Sequence, residues 1–238
     1  MKNLLTTFCF LTLYLIAPAQ DKEFTGGINT GFFSFRGKSA VNTSFINVSD
    51  VTSIPNYTND IYSKKAGAGI GINFSLQKVT KAKIIYGLSA AIEILKSKIS
   101  IDAVAGVRGS SGVANGKVTL TSKFVTISPA IGYRFAFKKL SLDVEGVLDF
   151  AICVAPHHEK GSATTTDSPP GTFSTNKDRN KTGLDFRTGL QSTLNYQRYG
   201  LLAGFWIGHS NYYKGMIGAD LEAYSKLIRL GITYRLNK

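Results

Sequence analysis

Three groups of residues carry side chains able to do chemistry. His209 and Ser210, with Glu222 beyond them, are the types that supply a general base, a nucleophile and an orienting acid. A lipid A or phospholipid hydrolase, the alternative these residues raise, needs base and nucleophile on one side of the backbone, whereas neighbours in an extended strand point to opposite faces. The order His-Ser therefore leaves hydrolysis as the alternative, and no catalytic site is expected. His157, His158 and Glu159 offer imidazole and carboxylate, the ligand types of a transition metal. Adjacent histidines in a strand also diverge, so the expectation there is a surface loop without a defined fold and without a metal. The third group is Glu93, Asp143, Glu145, Asp149 and Asp185 with Arg134, Arg187, Arg229 and Arg235, each set at an alternate position in an otherwise apolar segment. Such placement predicts a buried network of charges holding strand register, with an ion or proton path as the competing reading. No cofactor is expected: Gly67, Gly69 and Gly71 alternate along a strand and do not open a helix, as a phosphate-binding loop would.

The elements that position these charges are strands, because apolar residues recur with period two. Between 140 and 153, Leu140, Leu142, Val144, Leu148, Phe150 and Ile152 share one face, while Ser141, Asp143, Glu145, Asp149 and Cys153 share the other. The same dyad places Ala68, Ile70, Ile72, Phe74 and Leu76 against Gly67, Gly69, Gly71, Asn73 and Ser75. It recurs over 84–94 (Tyr86, Leu88 and Ile92 against Gly87, Ser89 and Glu93), 125–135 (Ile127, Ile131 and Tyr133 against Thr126, Ser128 and Arg134), 184–195 and 228–236. Residues 25–36 and 200–209 make two further strands with poorer alternation, which brings the expected count to eight. The connections alternate in length: 37–64, 96–122 and 154–181 are long, 210–225 is intermediate, and 78–82, 136–139 and 196–199 are short. Residues 97–108 and 113–123 are expected to prolong two strands as a hairpin around Gly109, Ser110, Ser111 and Gly112.

An even number of strands with short turns at one end and long loops at the other predicts an all-β fold, an eight-stranded antiparallel up-and-down transmembrane β-barrel. The short turns would lie in the periplasm with both termini, and the long loops outside. A soluble, lipocalin-like barrel shares the period, but its lumen would then have to hold every Phe, Tyr, Ile and Leu of the apolar faces, which overfills eight strands. With the apolar faces turned to lipid, the charges pair in the lumen. From 140 to 152 a strand at about 3.3 Å per residue and a tilt of about 40° rises roughly 30 Å, the thickness of the hydrocarbon core. Tyr86, Tyr133, Tyr196, Tyr199 and Tyr234 fall near strand ends, where an aromatic girdle sits. An eight-stranded lumen is filled by side chains, so a large pore is not expected and a narrow conductance stands as an alternative.

The segment Ile127, Ser128, Pro129 followed by Tyr133, Arg134 and Phe135, and the final strand Leu230, Gly231, Ile232, Thr233, Tyr234, Arg235 and Leu236, resemble the PorT-like outer-membrane β-barrel family. The resemblance spans most of the chain beyond the leader and implies fold and location, with no particular activity. The ending Leu236, Asn237, Lys238 departs from the aromatic terminus common in that family. His209, Ser210 and Glu222 are similar in type to the His, Ser and Glu of the lipid A deacylase barrels, but that family separates its His and Ser by one residue.

Met1 to Asn3, the apolar run Leu4 to Ile16 and the small-residue site Ala17, Pro18, Ala19 read as an export signal, 1–19, which leaves one domain, 20–238. Cys9 lies inside that run, so Cys153 is the remaining thiol, expected as a small buried residue with no disulfide. With 28 basic and 15 acidic residues in 238, 43% hydrophobic and 18% charged, the composition excludes a disordered chain or a coiled coil. The positive balance does not indicate nucleic acid in an exported chain. Lys78, Lys81, Lys83, Lys138, Lys139 and Arg198 flank the short turns and Lys177, Arg179 and Lys181 sit in the third long loop, where solvation or lipid phosphates account for them. The expected partners are outer-membrane lipid with lipopolysaccharide, the barrel-assembly machinery during biogenesis, and an envelope protein at the loops. The expected role is structural or interactive, in the outer membrane.

Overall fold

The computed structural model describes residues 22–49, 54–106, 111–166, 170–215 and 220–237. The expected signal, 1–19, and Gly109 and Ser110 at the expected hairpin tip lie outside the described residues. Among the described residues twelve strands follow one another: β1 Lys22–Arg36, β2 Thr43–Asn47, β3 Tyr57–Thr58, β4 Ala66–Val79, β5 Ile84–Ala105, β6 Ser111–Phe137, β7 Leu140–Cys153, β8 His157–Thr165, β9 Thr172–Arg179, β10 Leu184–Tyr196, β11 Tyr199–Gly208 and β12 Tyr224–Arg235.

Eight of them close a ring in the order β1, β4, β5, β6, β7, β10, β11, β12, with β12 returning to β1. Every pairing within the ring is antiparallel. The short connections are tight because they turn through left-handed backbone: Lys83, Lys138 and Gln197 have φ of 66°, 32° and 55°. At Lys138 and Gln197 the positive φ falls on the first residue of a two-residue hairpin turn and matches the twist of the strands it joins, whereas Lys83 closes the four-residue connection 80–83. Pro129 lies within β6, where it cannot donate to a ladder. The β6–β7 register is the same on either side of it, Ile127↔Phe150 and Ala130↔Val147, and between them Ser128 Oγ donates to Asp149 at 2.7 Å.

The alternation settles which face points where. Ile28, Ile70, Phe74, Ile131, Leu190, Leu201 and Ile232 point outward and are exposed, most of them by about 60%. Glu93, Asp143, Glu145, Asp149, Asp185 and Arg187 point inward and are buried. This inverts the arrangement of a water-soluble domain.

Two expectations about the long connections are corrected. The third was expected to lack a defined fold, yet β8 and β9 form a regular hairpin whose β8 pairs with β6 from Ala114↔Thr165 to Thr121↔His158. The first contains β2, which runs parallel to β5, and the short β3 paired to β2. The physical reason is the length of β5 and β6. Both continue past the ring, as the hairpin expectation required, and would expose free edges there unless further strands covered them. The sheet β3-β2-β5-β6-β8-β9 is the result. Its ends meet at Asn56, the residue before β3: Asn56 Nδ2 donates to Ser174 O at 3.0 Å, and Thr175 Oγ1 lies 2.9 Å from Asn56 O. We call this part the cap.

The interior therefore has two storeys. Near the short turns it is polar, with a cavity of about 60 Å³ among Asn73, Ser75, Gln77, Ser89, Gln191 and Asn195. Toward the cap it becomes apolar: Phe33, Leu95, Phe124, Trp206 and Leu227 fill the ring, and Ile46, Ile99, Ile101, Val118 and Leu120 continue the core beyond it.

Candidate functional site

The inward charges meet across the lumen. Arg229 on β12 donates through Nε and Nη2 to Glu93 on β5, at 2.7 and 2.8 Å, and its Nη2 lies 2.7 Å from Asp149 on β7. Its guanidinium lies 4.3 Å from the centroid of the Trp206 ring. Arg187 on β10 donates to Asp185 at 2.7 Å, lies 4.0 Å from Glu93, and is flanked by the rings of Phe33 and Phe124 at 5.5 and 4.7 Å. Asp185 also accepts from Tyr212 Oη at 2.7 Å and from Ser225 Oγ at 3.0 Å, which ties the network to the cap. At the turn end, Arg134 holds Asp143 and Glu23, each through two bonds of 2.7–2.8 Å, and Arg235 lies 2.9 Å from Glu23.

Glu145 departs from the expected pairing of acids with arginines: it accepts from Gln77 at 3.1 Å and Gln191 at 2.7 Å. Glu23 was missed from sequence because the alternation of β1 was followed only from residue 25. Two steps back along the same face reach it.

The hydrolytic group is dispersed. His209 shares a hydrogen bond of 2.8 Å with Thr188 Oγ1, Ser210 Oγ accepts from Phe186 N at 3.0 Å, and Glu222 lies 3.7 Å from Lys38. Among the described residues no hydrogen bond joins any two of the three.

The two histidines of β8 diverge as strand neighbours must. His158 faces out and meets Asp178 at 2.8 Å, while His157 is buried, 2.8 Å from Ser122 Oγ and stacked on Tyr212 at 5.5 Å. Burial pulls the His157 pKa from 6.5 to about 4, against the opposing pull of Asp185. Cys153 is buried beside it and donates to Ala155 O at 3.1 Å. Among the described residues no three His, Cys, Asp or Glu side chains are grouped to hold a metal ion.

Glu159, on the same face as His157, organises the cap. Fully buried, its carboxylate accepts from Thr58 N at 2.9 Å, from Arg179 Nε at 2.5 Å and from Thr175 Oγ1, and Arg179 also donates to Thr58 O. One carboxylate thus links β3, β8 and β9. Arg179 is held by this bond network, not by simple solvation, and Lys177 lies over the Tyr57 ring at 4.6 Å. Beside this junction a cavity of about 1,020 Å³ opens between residues 177–184, 209–215 and 59–62, with Tyr62, Lys177, Lys181, Tyr213 and Lys214 on its walls.

No protein-family model matches the chain, and no curated protein matches it either. The resemblance to the PorT-like family gains no support from those comparisons. Among solved structures the chain is similar to Ail, the attachment invasion locus protein of Yersinia pestis, in complex with the heparin analogue sucrose octasulfate. The identity is 13%, with 91% of this chain and 100% of that chain covered and a TM-score of 0.37. Neisserial surface protein A is 8% identical, with 90% and 97% covered and a TM-score of 0.40. The translocator domain of the autotransporter NalP from Neisseria meningitidis is 8% identical, with 96% and 93% covered and a TM-score of 0.27. Likenesses this distant carry no argument, and the barrel rests on the strand register given above.

Proposed function

We propose that the chain is an integral outer-membrane β-barrel whose cap, outside the cell, is an interaction surface. The observation that supports this most directly is the reversal of faces around the ring: apolar side chains exposed outward, charges paired within. Exposed Ile, Leu and Phe on every side of a closed ring are costly in water and favourable in lipid. Tyr86, Tyr133, Tyr196, Tyr199 and Tyr234 line the turn end, and Tyr199 and Tyr234 are in edge contact at 5.3 Å, as an interfacial girdle requires. In this reading residues 1–19 are removed on export, the termini and short turns are periplasmic, and the basic turns face lipid phosphates. Lipopolysaccharide and outer-membrane lipid surround the barrel, the barrel-assembly machinery inserts it, and an envelope protein binds the cap. The PorT-like resemblance adds location and no activity.

The role is structural or interactive, and neither hydrolysis nor conduction is part of it. His209 and Ser210 have separate partners, and Arg187, Trp206, Phe33 and Phe124 fill the cross-section. Cysteine labelling of intact cells tests the orientation. Lys160→Cys on the exposed face of β8 should react with a membrane-impermeant maleimide, and Lys139→Cys in a short turn should react only after permeabilisation. The buried Cys153 gives no background. The reverse pattern would overturn the proposed topology.

A further inference from the structure

Some charges in and around the cap are held by a partner. Arg179 is spent on Glu159, His158 meets Asp178, Lys38 meets Asp220 and Glu222, and Asp60 accepts from Asn59 Nδ2 at 2.9 Å. Lys177, Lys181 and Lys214 are set apart by their shared position. All three line the cavity of about 1,020 Å³ at the cap's side, and none forms an ion pair among the described residues. Asp178, turned to His158, is the one carboxylate in the same lining, so three ammonium groups leave the concavity positive and an anion placed between them is attracted.

The wall between them is aromatic. Tyr62 and Tyr213 are both more than nine-tenths buried, pack edge to face with centroids 4.8 Å apart, and line the cavity with hydroxyls that are not engaged by another side chain among the described residues. Burial pushes Tyr62 up to about 12 and Tyr213 likewise upward, so both remain protonated donors at neutral pH. Asn180 adds an amide to the lining.

Lysine ammonium groups serve phosphate as mobile point charges, whereas neutral hydroxyl and amide donors suit the oxygens of a sugar. The cavity is too large for a bare phosphate, and the lysines on its walls favour an anionic group over an acyl chain. We propose that it binds a phosphate-bearing sugar, with Lys177, Lys181 and Lys214 on the phosphate and the Tyr62 and Tyr213 hydroxyls on the sugar. That chemistry is shared by a soluble sugar phosphate and by the headgroup of a phosphorylated glycolipid in the surrounding leaflet. The inference deepens the proposed interaction role and rests on it for the access of such a ligand to the cap.

The test uses the mature chain folded in detergent and titrated calorimetrically at low salt with glucose 6-phosphate, glucose and inorganic phosphate. A second arm uses lipopolysaccharide micelles before and after phosphatase treatment. Phosphorylated probes should bind roughly tenfold or more tightly than glucose and inorganic phosphate, and added salt should weaken them. The double variant Lys181→Gln/Lys214→Gln and, separately, Tyr62→Phe should each lower affinity several-fold. Neither substitution removes an internal bond, so the folded, heat-shifted band should persist. Binding of glucose 6-phosphate assigns a soluble source, and binding of intact lipopolysaccharide alone assigns the headgroup. Equal binding of glucose, equal binding of inorganic phosphate, or unchanged affinity in both variants would overturn the site. Purified protein binds independently of its orientation in cells, so failure here is separable from failure of the maleimide pattern.

Discussion

Arg229 compensates two buried carboxylates at once, Glu93 and Asp149; Arg187 stands off Glu93 at 4.0 Å, and Asp149 has no second cation among the described residues. Removing it leaves uncompensated charge in the lumen, which costs about 3–5 kcal/mol for a buried pair. Arg229→Met should therefore lower folding stability by that order in urea titrations into lipid vesicles. Glu145→Gln should cost about 1 kcal/mol or less, because its partners are two amide donors and one acceptor oxygen remains. Equal losses in the two variants would contradict the assigned pairing. His157 supplies a pH dependence whose sign follows from its buried, neutral ring. With the folded pKa near 4 and the unfolded value near 6.5, the unfolded segment binds the extra proton, so the stabilisation is complete above about pH 6.5 and is lost as pH falls toward 4. Hydrogen exchange in β8 and β9 should accelerate over that interval, and His157→Asn should flatten the dependence. Protection that stays constant from pH 7 to 4.5 would count against it.

Two elements show how the ring and the cap are joined. β11 carries Trp206 inward between Gly189, its cross-strand partner, and Gly204; a Cβ at either glycine would overlap the indole. Gly189→Ala should move the indole at a cost of about 1–3 kcal/mol and shift its fluorescence. An unchanged spectrum and stability would show that the ring is not packed there. The β8–β9 hairpin depends on Glu159, so Glu159→Ala should expose the cap to protease while the eight-stranded ring keeps its detergent resistance. Loss of both together would mean that cap and ring fold as one unit. The ring strands were readable from alternation because lipid and a polar lumen give opposite demands on the two faces. Alternation weakens at β1 and β11, where the interior changes from polar to apolar. Phe32 faces out and Phe33 in, Phe205 out and Trp206 in, so neighbours on both faces are large. The cap strands were not readable: β8 and β9 are rich in Ser, Thr, Lys and Asn, and their order comes from the edges of β5 and β6 and from one buried carboxylate. The lumenal charges were recognisable by their alternate spacing. The mouth cavity was not, because Tyr62, Lys181 and Tyr213 come from separate connections.

For the whole molecule, the two storeys assign opposite duties to the two ends. The polar storey behind the apolar belt fixes the register of eight strands, and the apolar storey closes the lumen beneath the cap. A filled cross-section leads to the expectation that the protein is silent in planar bilayers, and discrete current steps would show a path that the packing of Arg187, Phe33, Phe124 and Trp206 does not allow. The central claim is that the exposed Ile, Leu and Phe of the ring face lipid in the outer membrane. It is tested most directly by separating membrane fractions and running the outer-membrane fraction on a gel with and without boiling. A closed barrel held by ladders around the whole ring should appear in that fraction and migrate differently before and after heating. A protein recovered in the soluble fraction with no heat shift would contradict the membrane assignment.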